Sequence, residues 1–281
     1  EIVKKEGLIY LKIIPINLYR NSKKLGLFVL EEGFSKELLE RQGRKDGPII
    51  GIEETLNQMF PMVTYDFYSE NKWISNFPDI YVASRENLEL FKKSSTHEQY
   101  KISNYFDIDQ WAKFFAIADV LKGYHATVPK SVKLYYNPSN GLFEPIAFDA
   151  HIGSGYDQFI FLDYYENNNI NCGYVCDDKE WLKVFFNKKN DKFITLYSEY
   201  LEKYTSKEYL DIINDIVKKK IRQHTFGLER VYDDEVTHTD KYMPISPTDT
   251  YYTVQDRFTF APQGDGNNKG DNIQSYYDSK V

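Results

Sequence analysis

Residues 114–151 constrain the fold of this chain most, because they place a helix, a polar loop, a β-hairpin and an acidic residue in succession. The helix is predicted by large apolar side chains at intervals of three and four residues, which form one stripe facing a core. The stripe consists of Trp111, Phe114, Phe115, Ala118 and Leu121. Asp107 or Asp109 is the predicted N-cap, and Gly123 ends the helix, so the polar loop begins at Tyr124.

A β-hairpin is predicted after this loop. Lys133–Tyr136 and Leu142–Phe148 are rich in aromatic and aliphatic residues, and Asn137–Gly141 between them has strong turn chemistry. Asp149 therefore leaves the sheet at the far end of the second strand, near the loop that begins at Tyr124. A carboxylate beside a polar loop can build a phosphate-and-metal site.

Together, these segments resemble the CotH (spore coat protein H) kinase family of atypical kinases. The matching segments are GYHATVPKS, KLYYNPSNGLFEPI and the Asp after them. Upstream, Ile14–Asn17 and LGLFVLEEGFSKELLERQG resemble that family's strand pair, glutamate-containing connection and following helix. The resemblance covers Ile13–Lys220. It implies an α+β, atypical protein-kinase-like fold with a partial small β lobe and a larger helical lobe that contains the hairpin.

The resemblance also implies ATP as cofactor, with Mg²⁺ or Mn²⁺. Asp149 matches the acidic residue that holds the metal on the nucleotide phosphates. Glu31 and Glu32 match the glutamate after the paired strands, which by analogy is the hinge near the adenine. Lys130 and Lys133 could reach phosphate, although a lysine in a polar loop is usually solvated.

Three positions depart from the family pattern. Many relatives carry an Asp in the loop where this chain has the Tyr124–Ala126 segment, an Asn where it has Ser131, and a second Asp where it has His151. Ser131 and His151 are therefore candidate metal ligands beside Asp149. His125 could accept a proton from a substrate hydroxyl, because imidazole titrates near neutrality; a structural histidine bonded to the loop backbone is an equal alternative.

Three functions follow from these residues. The first is an ATP-dependent kinase that phosphorylates Ser or Thr of a spore-coat, surface or secreted protein. The second is a catalytically inactive relative that binds nucleotide or a protein partner during coat or surface assembly, which the missing loop Asp favours. The third is a metal-dependent hydrolase in which Asp149, His151 and His125 hold a metal that activates water.

Composition excludes some classes of partner. The formal charge of −7 and the pI near 5.4 argue against nucleic-acid binding, which needs a concentrated basic surface. No apolar run is long enough to predict a membrane span. Cys172 and Cys176 lack nearby partners for a zinc site, and both a free pair and a disulfide stay open.

The kinase-like domain is predicted to span residues 1–230, followed by a C-terminal extension at 231–263 and a disordered tail at 264–281. Two further apolar stripes, at 193–204 and 210–221, predict helices that support the larger lobe. Few residues precede the paired strands, so the N-terminal strands of the domain are expected to be missing. The family resemblance favours an extracellular, cell-surface or spore-coat location.

Overall fold

The computed structural model describes residues 1–53, 60–95, 97, 100–150, 160–162, 165 and 179–232. For Leu27 and residues 220–232 it describes the backbone alone. His151, Cys172 and Cys176, the C-terminal extension beyond residue 232 and the tail lie outside these residues. What the sequence predicts for them stays a prediction.

Helices and strands are both present, so the predicted α+β class is confirmed. The helices are α1 Ile2–Lys5, α2 Lys36–Glu40, α3 Glu70–Asn76, α4 Pro78–Ser94, α5 Ile108–Leu121, α6 Lys179–Phe185, α7 Asp191–Thr205 and α8 Lys207–Tyr232. The strands are β1 Ile9–Tyr10, β2 Ile13–Arg20, β3 Lys23–Glu31, β4 Ile49–Ile52, β5 Tyr65–Phe67, β6 Lys133–Asn137 and β7 Leu142–Ala147. In the described part of the chain, no helix is both long and apolar enough to cross a membrane.

Five strands form one sheet in the order β1-β7-β6-β4-β5. Strand β1 runs parallel to β7, and the other neighbours are antiparallel. The predicted hairpin is β6–β7, with Tyr135 opposite Glu144. Its turn closes because Gly141 adopts a positive φ of 73° and donates its N–H to the Asn137 carbonyl at 2.8 Å.

Strands β2 and β3 form a separate two-stranded antiparallel sheet. The turn between them places Asn21 and Ser22 at positive φ. Large apolar side chains on this hairpin stay exposed, among them Val29 at 65% and Ile13 at 55%. The predicted strand pair before Glu32 is therefore confirmed, with the short β1 in addition.

Helix α5 joins the helical and sheet parts of the core. Its N-terminus is capped by Asp107, as predicted, whose side chain accepts from the Gln110 N–H at 3.2 Å. The fully buried Trp111 donates its indole N–H to the Phe143 carbonyl of β7 at 2.9 Å. Tyr200 of α7 donates its hydroxyl to Asp109 at the start of α5. These contacts fix where α5 ends relative to the hairpin, and so where the polar loop meets Asp149.

Candidate functional site

Asp149 comes two residues after the end of β7 and has a left-handed backbone, with φ 54°. A non-glycine residue rarely adopts this conformation, although Asp and Asn tolerate it better than most. Strained backbone of this kind concentrates at functional sites. The side chain of Asp149 is 36% exposed, so the carboxylate can reach both the protein and solvent.

His125 lies on the short 3-10 helix Tyr124–Thr127 that follows α5. Helix α5 ends because Lys122 takes a left-handed conformation, with φ 56°. Gly123 then passes close to the segment after β7, where an added Cβ would lie 3.2 Å from the Ala150 Cβ. This close approach brings His125 Nδ1 to 2.8 Å from Asp149 Oδ2, as the sequence predicts for the two segments.

Ser131 completes the cluster. Its Oγ is 3.1 Å from His125 Nδ1 and donates to Asp149 Oδ2 at 3.3 Å. Ser131 is only 3% exposed. Three of the predicted site residues, His125, Ser131 and Asp149, are therefore in mutual contact.

The cluster differs from the triad of a serine hydrolase. In such a triad the serine and the aspartate meet opposite ring nitrogens, so that the histidine takes the serine proton while the aspartate holds the ring in the correct tautomer. Here Ser131 and Asp149 both meet the same nitrogen, Nδ1 of His125. The main-chain oxygen of Asp149 also lies 3.3 Å from Nδ1. Oδ2 and the main-chain oxygen of Asp149 can only accept hydrogen bonds, so the proton of the neutral His125 ring lies on Nδ1. Nε2 is then the nitrogen that can accept a proton.

The two predicted phosphate lysines differ in burial. Lys133 is 5% exposed, whereas Lys130 is exposed. Lys133 donates to the Lys130 carbonyl at 3.3 Å, and its Nζ lies 5.6 Å from the centroid of the Phe148 ring. An added Cβ at Gly51 would lie 3.5 Å from the same Nζ. Lys133 thus points toward Phe148, the residue that precedes Asp149, and lies beside Gly51, which has no side chain.

The two predicted hinge glutamates lie at the end of β3. Glu31 is exposed. Glu32 accepts from Arg41 at 2.6 Å on Oε2 and at 3.2 Å on Oε1, and also from the Lys12 N–H at 2.9 Å. Partial burial opposes ionisation of Glu32, but the hydrogen bonds from Arg41 and Lys12 outweigh it and lower the pKa. Glu32 therefore joins the paired strands to α2, and its nucleotide role stays a prediction.

The oxygen donors of this cluster suit a hard cation. Asp149 offers a carboxylate and Ser131 a hydroxyl, which are donors that Mg²⁺ accepts. Within the described residues, no group of three His, Cys, Asp or Glu side chains is arranged to hold a metal ion. His151, the third predicted ligand, lies outside those residues. A metal bound here would share Asp149 with His125, because Oδ2 already meets Nδ1.

Asp119 was not predicted as a site residue, although it lies directly behind the cluster. It is 2% exposed, and the hydroxyl of Tyr197 in α7 donates to its Oδ2. Burial raises the pKa of Asp119 to about 7, against hydrogen bonds that lower it. The available sequence signal was an acidic residue next to the apolar stripe of α5.

The fold and the cluster define a class of protein. The chain has an α+β kinase-like fold, in which a helix, a polar loop, a hairpin and an aspartate follow one another and converge at His125 and Asp149. The sequence profile of the family described as CotH kinase protein matches residues 1–253, so the chain belongs to the CotH kinase family. No curated protein matches the chain.

Proposed function

We propose that this protein is an ATP-dependent atypical kinase that phosphorylates Ser or Thr hydroxyls of a protein substrate. The observation that carries the proposal is the contact of His125 Nδ1 with Asp149 Oδ2 at 2.8 Å, in a chain that belongs to the CotH kinase family. The family suggests a spore-coat, surface or secreted protein as substrate.

In this reaction the substrate hydroxyl oxygen attacks the γ-phosphorus, and the bond between that phosphorus and the β–γ bridging oxygen breaks, releasing ADP. The hydroxyl proton goes to Nε2 of His125, while Asp149 holds the proton on Nδ1 and stabilises the imidazolium that forms. Asp149 and Ser131 would hold the divalent ion, which when bound supplies charge neutralisation on the phosphates. Lys133, whose Nζ lies 5.6 Å from the centroid of the Phe148 ring, would supply a positive charge for the phosphates.

The test compares radiolabel transfer from ATP by Asp149→Asn and His151→Ala in the full chain. Asn tolerates a left-handed backbone, so Asp149→Asn removes the charge without adding strain at φ 54°. Loss of a charge-stabilising group should lower the rate by about 100-fold or more. His151→Ala should keep most of the activity, because imidazole is a poor ligand for Mg²⁺.

Asp66→Asn, at an exposed position on β5, is the matched control and should leave the rate unchanged. Urea unfolding of each variant checks that the comparison is made at equal stability. Full activity in Asp149→Asn would refute the kinase. Selective loss in His151→Ala, with phosphate released to water in the presence of Mn²⁺ or Zn²⁺, would favour the metal-dependent hydrolase instead.

A catalytically inactive binding protein is the second candidate. It is favoured by the ion pair of Glu32 with Arg41, which engages both carboxylate oxygens at the predicted hinge, and by the loop's lack of an Asp. Label transfer from ATP separates the two candidates. A folded chain that transfers no label, whether or not calorimetry shows that it binds Mg·ATP, supports the binding role. Label transfer that depends on Asp149 excludes it.

A further inference from the structure

The buried carboxylate of Asp119 connects three segments behind the cluster. It lies on α5, and its two oxygens each accept from the Phe161 N–H at 3.3 Å. The hydroxyl of Tyr197 on α7 donates to Oδ2. A carboxylate that is 2% exposed loses its hydration, so these donors are what make its burial tolerable.

The third donor is Tyr124, the residue before His125. Its hydroxyl also bonds to Asp119, and it accepts from the Lys122 ammonium at 3.2 Å. Tyr124 is fully buried. At the other end of the same short helix, Trp181 donates its indole N–H to the Thr127 carbonyl at 2.9 Å. The segment that carries His125 is thus anchored at both ends.

Phe161 also packs against the short helix that carries His125. Its ring is 0% exposed and packs edge-on against Tyr124, with ring centroids 5.6 Å apart. Asp119 therefore bonds to the residue next to His125 and to the Phe161 backbone. Moving this one carboxylate would move the short helix that carries His125.

We infer that Asp119 is a positioning residue for the His125–Asp149 pair, holding the Tyr124–Thr127 helix and the Phe161 backbone in the one arrangement that keeps His125 against Asp149. The expected effect of Asp119 on the reaction rate rests on the proposed kinase function. Its expected effect on the position of His125 does not rest on that function.

The charge state of Asp119 supports the role. Burial raises the pKa of Asp119 to about 7, so the carboxyl gains or loses a proton near neutral pH. The titratable and charged groups that face it are Tyr197 from α7, Tyr124 from the 3-10 helix and Lys122 from the end of α5. Ionised Asp119 accepts from all its donors, whereas the protonated form must donate to one neighbour. The anchoring of His125 should therefore change near pH 7.

The experiment observes His125 directly by NMR of histidine labelled with ¹³C at Cε1, in the full chain from about pH 5 to about pH 9. His125→Gln assigns its signal among the 5 histidines. The wild-type signal should show an inflection near pH 7 that follows the titration of Asp119. Asp119→Asn should remove that inflection and shift the signal. In an active enzyme it should also lower kcat by about 10-fold or more while KM for ATP stays within about 2-fold.

Ser84→Ala is the matched control, since Ser84 is equally buried but lies on α4 and bonds to the Tyr81 carbonyl. It should leave the His125 signal in place. Tyr197→Phe, which removes one donor and keeps the ring, should shift the His125 signal in the same direction and serves alone if Asp119→Asn fails to fold. An unshifted His125 signal in every folded variant would overturn the role. If the wild-type protein transfers no phosphate but the His125 signal still shifts in the variants, the proposed kinase function is wrong and the positioning role of Asp119 stands.

Discussion

Asp119→Asn should change how the stability of the protein depends on pH. Burial raises the pKa of Asp119 from 3.8 to about 7, and the unfolded chain restores the ordinary value. Between these two values the folded protein binds more protons than the unfolded chain. The contribution of Asp119 to the free energy of unfolding is therefore fully present below about pH 4 and is lost as the pH rises through about 7.

The magnitude follows from the size of the shift. Three pKa units correspond to about 4 kcal/mol of unfolding free energy, lost at about 1.4 kcal/mol per pH unit. Asn cannot ionise, so Asp119→Asn should lack this loss. The stability of the wild type relative to Asp119→Asn should fall by about 4 kcal/mol between about pH 4 and about pH 8.

Urea unfolding followed by tryptophan fluorescence measures this difference, because Trp111 and Trp181 are both buried. Comparing the two proteins at each pH cancels the carboxylates whose pKa is lowered, such as Glu6 and Glu32, since they act equally in both. Asp66→Asn, exposed on β5, is the control. A wild-type minus Asp119→Asn difference that stays constant within about 0.5 kcal/mol across this range would refute the argument.

Three other substitutions test the framework of the site by urea unfolding. Trp111→Phe leaves the buried Phe143 carbonyl without its indole donor and opens a cavity, so it should cost about 2–4 kcal/mol; a loss under about 1 would contradict that packing. Arg44→Met should cost about 3–5 kcal/mol because it leaves the buried Glu144 carboxylate without its 3.0 Å ion pair, whereas Lys36→Met, which breaks the exposed pair with Glu40 on α2, should leave the unfolding midpoint unchanged. Gly47→Ala should cost about 1–3 kcal/mol, since the added Cβ would lie 2.4 Å from a main-chain oxygen of β6, and an unchanged midpoint would show that this segment can move aside.

The central motif could be predicted from the sequence because its signals are local. Apolar spacing gives α5, and the chemistry of Asn137–Gly141 gives the hairpin turn. Strand length then fixes where the hairpin ends, and so places Asp149 near His125. Each step depends on residues that are neighbours in the chain.

Contacts between distant segments could not be predicted in this way. Strand β4 is 4 residues long, too short for its periodicity to distinguish a strand from a buried turn, and its partner β6 lies far along the chain. The ion pair of Arg44 with Glu144 joins residues 100 positions apart. Asp119 and Tyr197 are 78 positions apart, and an isolated Asp on a helix normally indicates the solvent face. The buried positions of these groups depend on tertiary packing alone.

In the proposed kinase, the geometry of Asp149 would link metal binding to proton transfer. Its Oδ2 meets His125 at 2.8 Å and accepts from Ser131 at 3.3 Å, so a cation at this oxygen would compete with the imidazole. Binding through Oδ1 would leave His125 in place, with Nε2 as the base. Binding through Oδ2 would release the ring and remove the group that fixes its tautomer. The kinase role therefore requires that Mg²⁺ bind while His125 keeps its contact with Asp149. The NMR signal of the His125 ring during a Mg²⁺ titration distinguishes these two modes of binding.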